Sequence, residues 1–159
     1  MDRKQFKEFC KNEFTERGFK KQRNMFYLTG YDLLCGIDLQ KSYYGDAYYV
    51  NYYYFIGEFK NITDYPTHYE SDIQGRIAVM SRKQTFHGKQ FMTAQVEYEE
   101  YTEEELRPYF ERAFKEEILP PVNRGKSFIL DNLGGIYSLT LHKDCLLYTS
   151  DAADDLTRV

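Results

Sequence analysis

Asp38, Gln40 and Ser42 alternate along one stretch of the chain, and Asn51 and Arg76 lie on two further stretches that alternate in the same way. Side chains at every second position of a strand share one face of its sheet. These five residues therefore read as hydrogen-bonding groups carried on rigid elements, and the chemistry such a set supports is recognition. Arg76 offers a planar fork of donors that holds a carboxylate or phosphate through two parallel bonds. Asp38, Gln40, Ser42 and Asn51 add acceptors and neutral donors around it. Tyr49 and Tyr53 fall on the Asn51 side of their strand and would contribute stiff, amphipathic contact area. The competing reading is an ordinary solvated sheet face, or an Arg76–Asp38 pair with no ligand.

Signals for catalysis are weaker. His68, Glu70 and Asp72 alternate as metal ligands on a strand can, but they sit close to Pro66 where the sequence reads as a loop, and His87 has no partner at ligand spacing. Cys10 and Cys35 lie on apolar faces, where a thiolate is disfavoured, so neither reads as a nucleophile. Gly134-Gly135 lacks the Lys-Ser/Thr that completes a phosphate-cradling loop. No metal, cofactor or catalytic residue is expected, and a binding protein fits better than an enzyme. The acidic residues between 97 and 105 read as a solvated strand end and helix start.

Length and charge narrow the partners. At 159 residues, 42% hydrophobic and 29% charged, the chain can bury one core and keep a wet surface as a single domain. The net charge of −4 is a balance of interspersed signs, which leaves no basic field for a phosphate backbone and disfavours nucleic acid. No apolar run approaches the roughly 18 residues of a membrane span. The first residues are charged where a leader would be apolar, so the expected location is cytoplasmic. Three cysteines without CxxC spacing argue against a disulfide or zinc framework.

The elements that would position the polar residues follow from periodicity. Residues 33–59 hold seven of the sixteen tyrosines and read as a hairpin around Tyr44-Gly45-Asp46. Leu33, Cys35, Ile37 and Leu39 oppose Asp38, Gln40 and Ser42. On the return strand Tyr48, Val50, Tyr52, Tyr54 and Ile56 share one face, and Tyr49, Asn51, Tyr53 and Phe55 the other. Both faces of that strand are expected to be at least partly covered.

Phe6, Phe9, Cys10 and Phe14 mark a helix over 2–17, opened by an Asp2/Gln5 capping box and ended by Gly18. Residues 19–23 form a basic connection into a short strand at 25–29. Residues 60–71 and 81–90 read as loops, and 72–80 and 91–101 as strands. A second helix over 102–119 opens with a Thr102/Glu105 capping box and stops at Pro120 and Pro121. A third helix spans 123–133, and a strand begins at 136. The class is α+β: an antiparallel sheet of about four to five strands with an N-terminal helix and a C-terminal helix packed on it.

The helix ending in Gly18-Phe19-Lys20-Lys21, followed by Leu39-Gln40-Lys41-Ser42, Val50-Asn51 on a tyrosine-rich strand and Gly75-Arg76-Ile77, resembles a bacterial family catalogued as domain of unknown function 4304. The resemblance covers about residues 6–119, departs most at the aromatic run 52–54, and implies a compact α+β domain without an established activity or catalytic residues to carry over. From Cys145 the sequence CLLYTSDAADD resembles a translated sequencing adapter. The domain is accordingly expected at 1–144, with 136–144 a strand cut short and 145–159 a tail without packed core contacts.

Two functions of different class follow. One is a non-enzymatic binding module, of immunity-like or accessory kind, that holds a protein partner or a small ligand on its tyrosine-rich sheet face. The other is a small hydrolase or transferase built on Asp38 and Arg76, which requires a concavity and a titratable group of shifted pKa. Convergence of Asp38, Gln40, Asn51 and Arg76 around a hollow favours a ligand site or an enzyme; a flat aromatic face favours a protein partner.

Overall fold

The hairpin forms where the alternation places it. In a computed structural model describing residues 1–137 and the backbone of 141–142, β3 (Leu33–Lys41) and β4 (Tyr48–Ile56) pair antiparallel over their full length, from Leu33 opposite Ile56 to Lys41 opposite Tyr48. Aromatic and β-branched side chains suit this pleated, two-sided surface, and Gly45 takes a φ of 148° in the turn, a backbone state that side chains resist. β1 (Lys20–Gln22) and β2 (Met25–Thr29) extend the sheet beyond β3, and β5 (Ile73–Arg76) pairs with β4 on the other side. Two-residue strands β8 (Gln95–Val96) and β9 (Leu141–His142) add to β4 and β5, giving the antiparallel order β1-β2-β3-β4-β5-β9.

One face of β4 carries the main core. Tyr48, Val50, Tyr52 and Tyr54 pack with Leu33, Cys35 and Ile37 against Phe6, Phe9 and Phe14 of α1 (Arg3–Glu16) and Leu106 and Phe110 of α2 (Glu103–Ala113). Both expected capping boxes form. Glu13 is buried between the helices, where its carboxylate pairs with Arg17 at 2.7 Å and Arg107 at 3.2 Å. The opposite face holds a smaller cluster of Met25, Tyr27, Leu34, Tyr53 and Phe55, packed against Phe59, Ile62 and Tyr65 from the 57–72 loop. Residues 60–71 are loop except for a single 3-10 turn at His68–Glu70.

Several boundaries differ from expectation. Pro120 and Pro121 do not stop the second helix: α2 passes into a wide π turn (Phe114–Ile118), and α3 (Leu119–Arg124) follows with both prolines in its first turn. A helical bond to the Glu117 carbonyl would come from residue 121, a proline without an N–H. The hydroxyls of Tyr54 and Tyr137 donate to that carbonyl instead, and Tyr52 donates to the Glu117 carboxylate. Asn123 and Arg124 therefore belong to α3, and α4 (Lys126–Asp131) starts after Gly125.

The strand expected over 91–101 is broken into β7 (Met92–Thr93) and β8, then a 3-10 turn at Tyr98–Glu100. Residues 72–80 divide likewise into β5 and β6 (Val79–Met80), and β6 pairs with β7 apart from the main sheet. The basic connection contains β1, and Ile136 and Tyr137 lie in turns ahead of β9. The tail at 145–159, Leu146 and Leu147 included, falls outside the described residues. No helix among the described residues is long and apolar enough to cross a membrane.

A Cβ at Gly75 would stand 2.3 Å from the Tyr52 ring. Gly75→Ala is expected to cost about 1–3 kcal/mol, the usual penalty of overpacking. Urea denaturation reads this as a lower midpoint at constant slope. An unchanged midpoint would mean that Tyr52 does not lie against β5.

Candidate functional site

Three adjacent strands bring the polar residues into one row. Asp38 on β3 lies opposite Asn51 on β4, and Asn51 lies opposite Arg76 on β5. Gln40 is two residues along β3 from Asp38 and faces Tyr49. A matched register is what makes this row, since a one-residue slip would turn each side chain to the other face. The 57–72 loop folds over the neighbouring part of the same face, with His68 against Tyr53 at 5.8 Å between ring centres. Between loop and row lies an open cleft of about 680 Å³, lined by Asp38, Gln40, Asn51, Tyr53, His68 and Arg76 among others.

Asn51 joins these groups. It is 1% exposed, and its Nδ2 donates to Asp38 Oδ1 at 3.1 Å and to Gln40 Oε1 at 3.0 Å, while its Oδ1 accepts from Arg76 Nε at 2.9 Å. Arginine only donates and an ionised carboxylate only accepts, so the two neighbours dictate which way the amide faces. Arg76 Nη2 also donates to Gln40 Oε1 at 3.3 Å, and the guanidinium lies 4.0 Å above the centre of the Tyr49 ring, which restrains its plane. Arg76 forms no ion pair among the described residues, and its Nη1 donates to no protein group there. The expected alternative of a direct Arg76–Asp38 pair is thereby replaced by an amide bridge. A cation with one nitrogen unspent at an open cleft suits an incoming carboxylate or phosphate.

Asp38 has a different character. Burial raises its pKa above the ordinary carboxylate value, and hydrogen bonds from Asn51 and Tyr53 offset part of that rise, as does the nearby His68. Both bonds go to Oδ1, the Tyr53 hydroxyl at 3.1 Å. Burial, followed by the charge of Asp38, pushes the Tyr53 phenol upward, so Tyr53 stays protonated and donates.

The remaining expected residues are placed unequally. Tyr53 is buried and Tyr49 half-buried beneath Arg76, so neither offers a free ring face; the exposed tyrosines of the hairpin are Tyr43 and Tyr44 at its turn. Ser42 is buried outside the cleft, where its hydroxyl accepts from the Tyr44 amide and from Gln95. His68, Tyr69 and Gln74 line the cleft without having been singled out for it. For Gln74 the alternation with Arg76 was a usable signal; for the loop residues nothing local indicates which sheet face they cover. Of the alternating acids beside His68, Asp72 accepts from the Ile56 amide at 2.7 Å and Glu70 from the Thr67 amide at 2.8 Å.

The sequence matches, over residues 10–124, the family described as a domain of unknown function (DUF4304). The chain belongs to that family. The matched segment of this DUF4304 chain runs from Cys10 in α1 to Arg124 at the end of α3, and so contains every residue of the row. No curated protein and no solved structure matches the chain.

Asn51→Ala removes the bridge and leaves its neighbours short of partners, and is expected to cost about 1–3 kcal/mol in denaturant; a neutral result would mean that water replaces the amide at no cost. Asp38 sets a pH dependence. Because it holds its proton more tightly folded than unfolded, protonation stabilises the fold; that contribution is complete below the unfolded pKa of about 3.9 and is lost as pH rises through the raised value. Asp38→Asn removes the cost of the buried charge, so the variant should equal or exceed wild type near pH 7 and lose any advantage below about pH 4. An advantage that grew on acidification would contradict a raised pKa.

Proposed function

We propose that this protein is a non-enzymatic binding module whose cleft holds a small polar ligand by an anionic group on Arg76. The observation that carries this reading is the convergence of Asp38, Gln40, Asn51 and Arg76 around a hollow, with Arg76 held in plane by Tyr49 and Asn51 and yet free of an ion-pair partner among the described residues. A guanidinium ordered before its ligand arrives loses less entropy on binding. Concavity favours a small ligand over the flat contact that a protein partner would use, and the covered rings of Tyr49 and Tyr53 point the same way.

A small hydrolase or transferase is the second reading, favoured by Asp38, a carboxyl of raised pKa in that cleft. It ranks second because the groups bonded to Asp38 are the Asn51 amide and the Tyr53 phenol, which burial keeps protonated, and neither is a nucleophile that a carboxylate base would activate.

Titration of the isotope-labelled chain with acetate and with inorganic phosphate, followed by NMR, tests the binding reading. The Arg76 Nε–H signal and the side-chain amides of Asn51 and Gln40 should shift in wild type, and those two amides should remain still in Arg76→Gln. Shifts of equal size in the variant, or none in wild type, would count against it.

A further inference from the structure

The cleft does not end at Asp38. Beyond it lies a smaller, more enclosed chamber of about 250 Å³, bounded by Gln22, Arg23, Asn24 and Met25, by Tyr27 and by loop residues 63–68. Asp38 and His68 line both spaces. The chamber has an aromatic wall, since the Tyr27 and Tyr65 rings lie 4.7 Å apart between centres and tilted by 41°. The Tyr27 hydroxyl is committed to the Pro66 carbonyl at 2.6 Å, which leaves ring surface rather than a free donor to meet a ligand. Asp64 is a second carboxylate at the lining, and Arg23 is the opposing cation.

Asp38 itself is half satisfied. Oδ1 accepts from Asn51 and Tyr53, while Oδ2 has no hydrogen-bond partner among the described residues. A partly buried carboxylate with an open oxygen and aromatic rings nearby is a place for an ammonium or guanidinium group. An anion alone on Arg76 would add a second negative charge to the neighbourhood of Asp38, whereas a ligand that also carried a cation would complement both. One carboxamide separates the two charged side chains, so guanidinium and carboxylate are set apart by two hydrogen bonds and an amide, roughly 8 Å at most. Charges several ångströms apart on one ligand, as in an ω-amino acid, can lie along the row and meet both.

From this juxtaposition we infer that the ligand is dipolar: an ω-amino acid or basic amino acid whose carboxylate sits on Arg76 and whose distal cation meets Asp38 at the Tyr27–Tyr65 chamber. This rests on the reading of the Arg76 cleft given above. In it, the two hollows are subsites of one site, and Asp38 at their junction selects the cationic end.

Three probes of one chain length separate the possibilities: 6-aminohexanoate, hexanoate and hexylamine, measured by calorimetry with the Arg76 Nε–H signal followed by NMR. In wild type 6-aminohexanoate should bind about tenfold or more tightly than hexanoate, the worth of one charge-assisted hydrogen bond. Asp38→Asn should abolish that advantage without weakening hexanoate, and Arg76→Gln should weaken both acids while leaving hexylamine unchanged. Equal binding of the two acids, each shifting the Arg76 signal, would overturn the dipolar ligand and leave the anion cleft standing. Binding of neither acid, with the Arg76 signal unmoved, would overturn both.

Discussion

A carboxamide buried in the middle of a sheet must find partners on the neighbouring strands, and Asn51 finds three. Its amide faces the acceptors of Asp38 and Gln40 on one side and the Arg76 guanidinium on the other. Left unpaired at 1% exposure, such a group would be among the more costly features of the molecule. The requirement is mutual. The register of β3, β4 and β5 has to place Asp38, Asn51 and Arg76 abreast, and once it does, the amide resists slippage of either strand pair.

That constraint falls on β4, the strand with two buried faces. Its even-numbered side is apolar and aromatic and meets both long helices. There Tyr52 and Tyr54 reach the π turn between α2 and α3, and their hydroxyls, with that of Tyr137, satisfy oxygens of Glu117. Tyrosine suits this position because it fills a core while keeping one polar atom for a distant partner. The odd-numbered side is shared: at Tyr53 and Phe55 the 57–72 loop covers the sheet, and at Tyr49 and Asn51 it does not. The cleft is the step between these two halves, so its depth comes from the loop and its chemistry from the strands.

Much of this was legible in the chain. The faces of both hairpin strands, the first helix and both capping boxes follow from spacings of two and between three and four residues, which are properties of a few consecutive positions. That Gln40 and Arg76 lie on the polar sides of their strands followed from the same alternation, whereas the register of β3, β4 and β5 decided that those sides coincide. Helix ends near prolines were less legible: Pro120 and Pro121 are strong stop signals in isolation, but the Glu117 carbonyl that Pro121 orphans is served by Tyr54, more than 60 residues earlier in the chain, and by Tyr137. The strand expected over 91–101 failed for a similar reason, because alternation over so few positions does not specify which strand a segment pairs with or how long the pairing lasts.

By itself the sequence determined the α+β class, the hairpin at its centre, which residues face together along each strand, and the family to which the chain belongs. Tertiary structure decided that Asp38, Asn51 and Arg76 stand in one row, that Ser42 turns to Gln95 instead, that Tyr49 and Tyr53 are covered, and that His68 closes one side of the cleft. The physical reason is range. Side-chain direction within an element is set by neighbours along the backbone, whereas register, loop placement and the burial of a polar group are set by contacts between segments distant in the chain, whose geometry exists only once the core has closed.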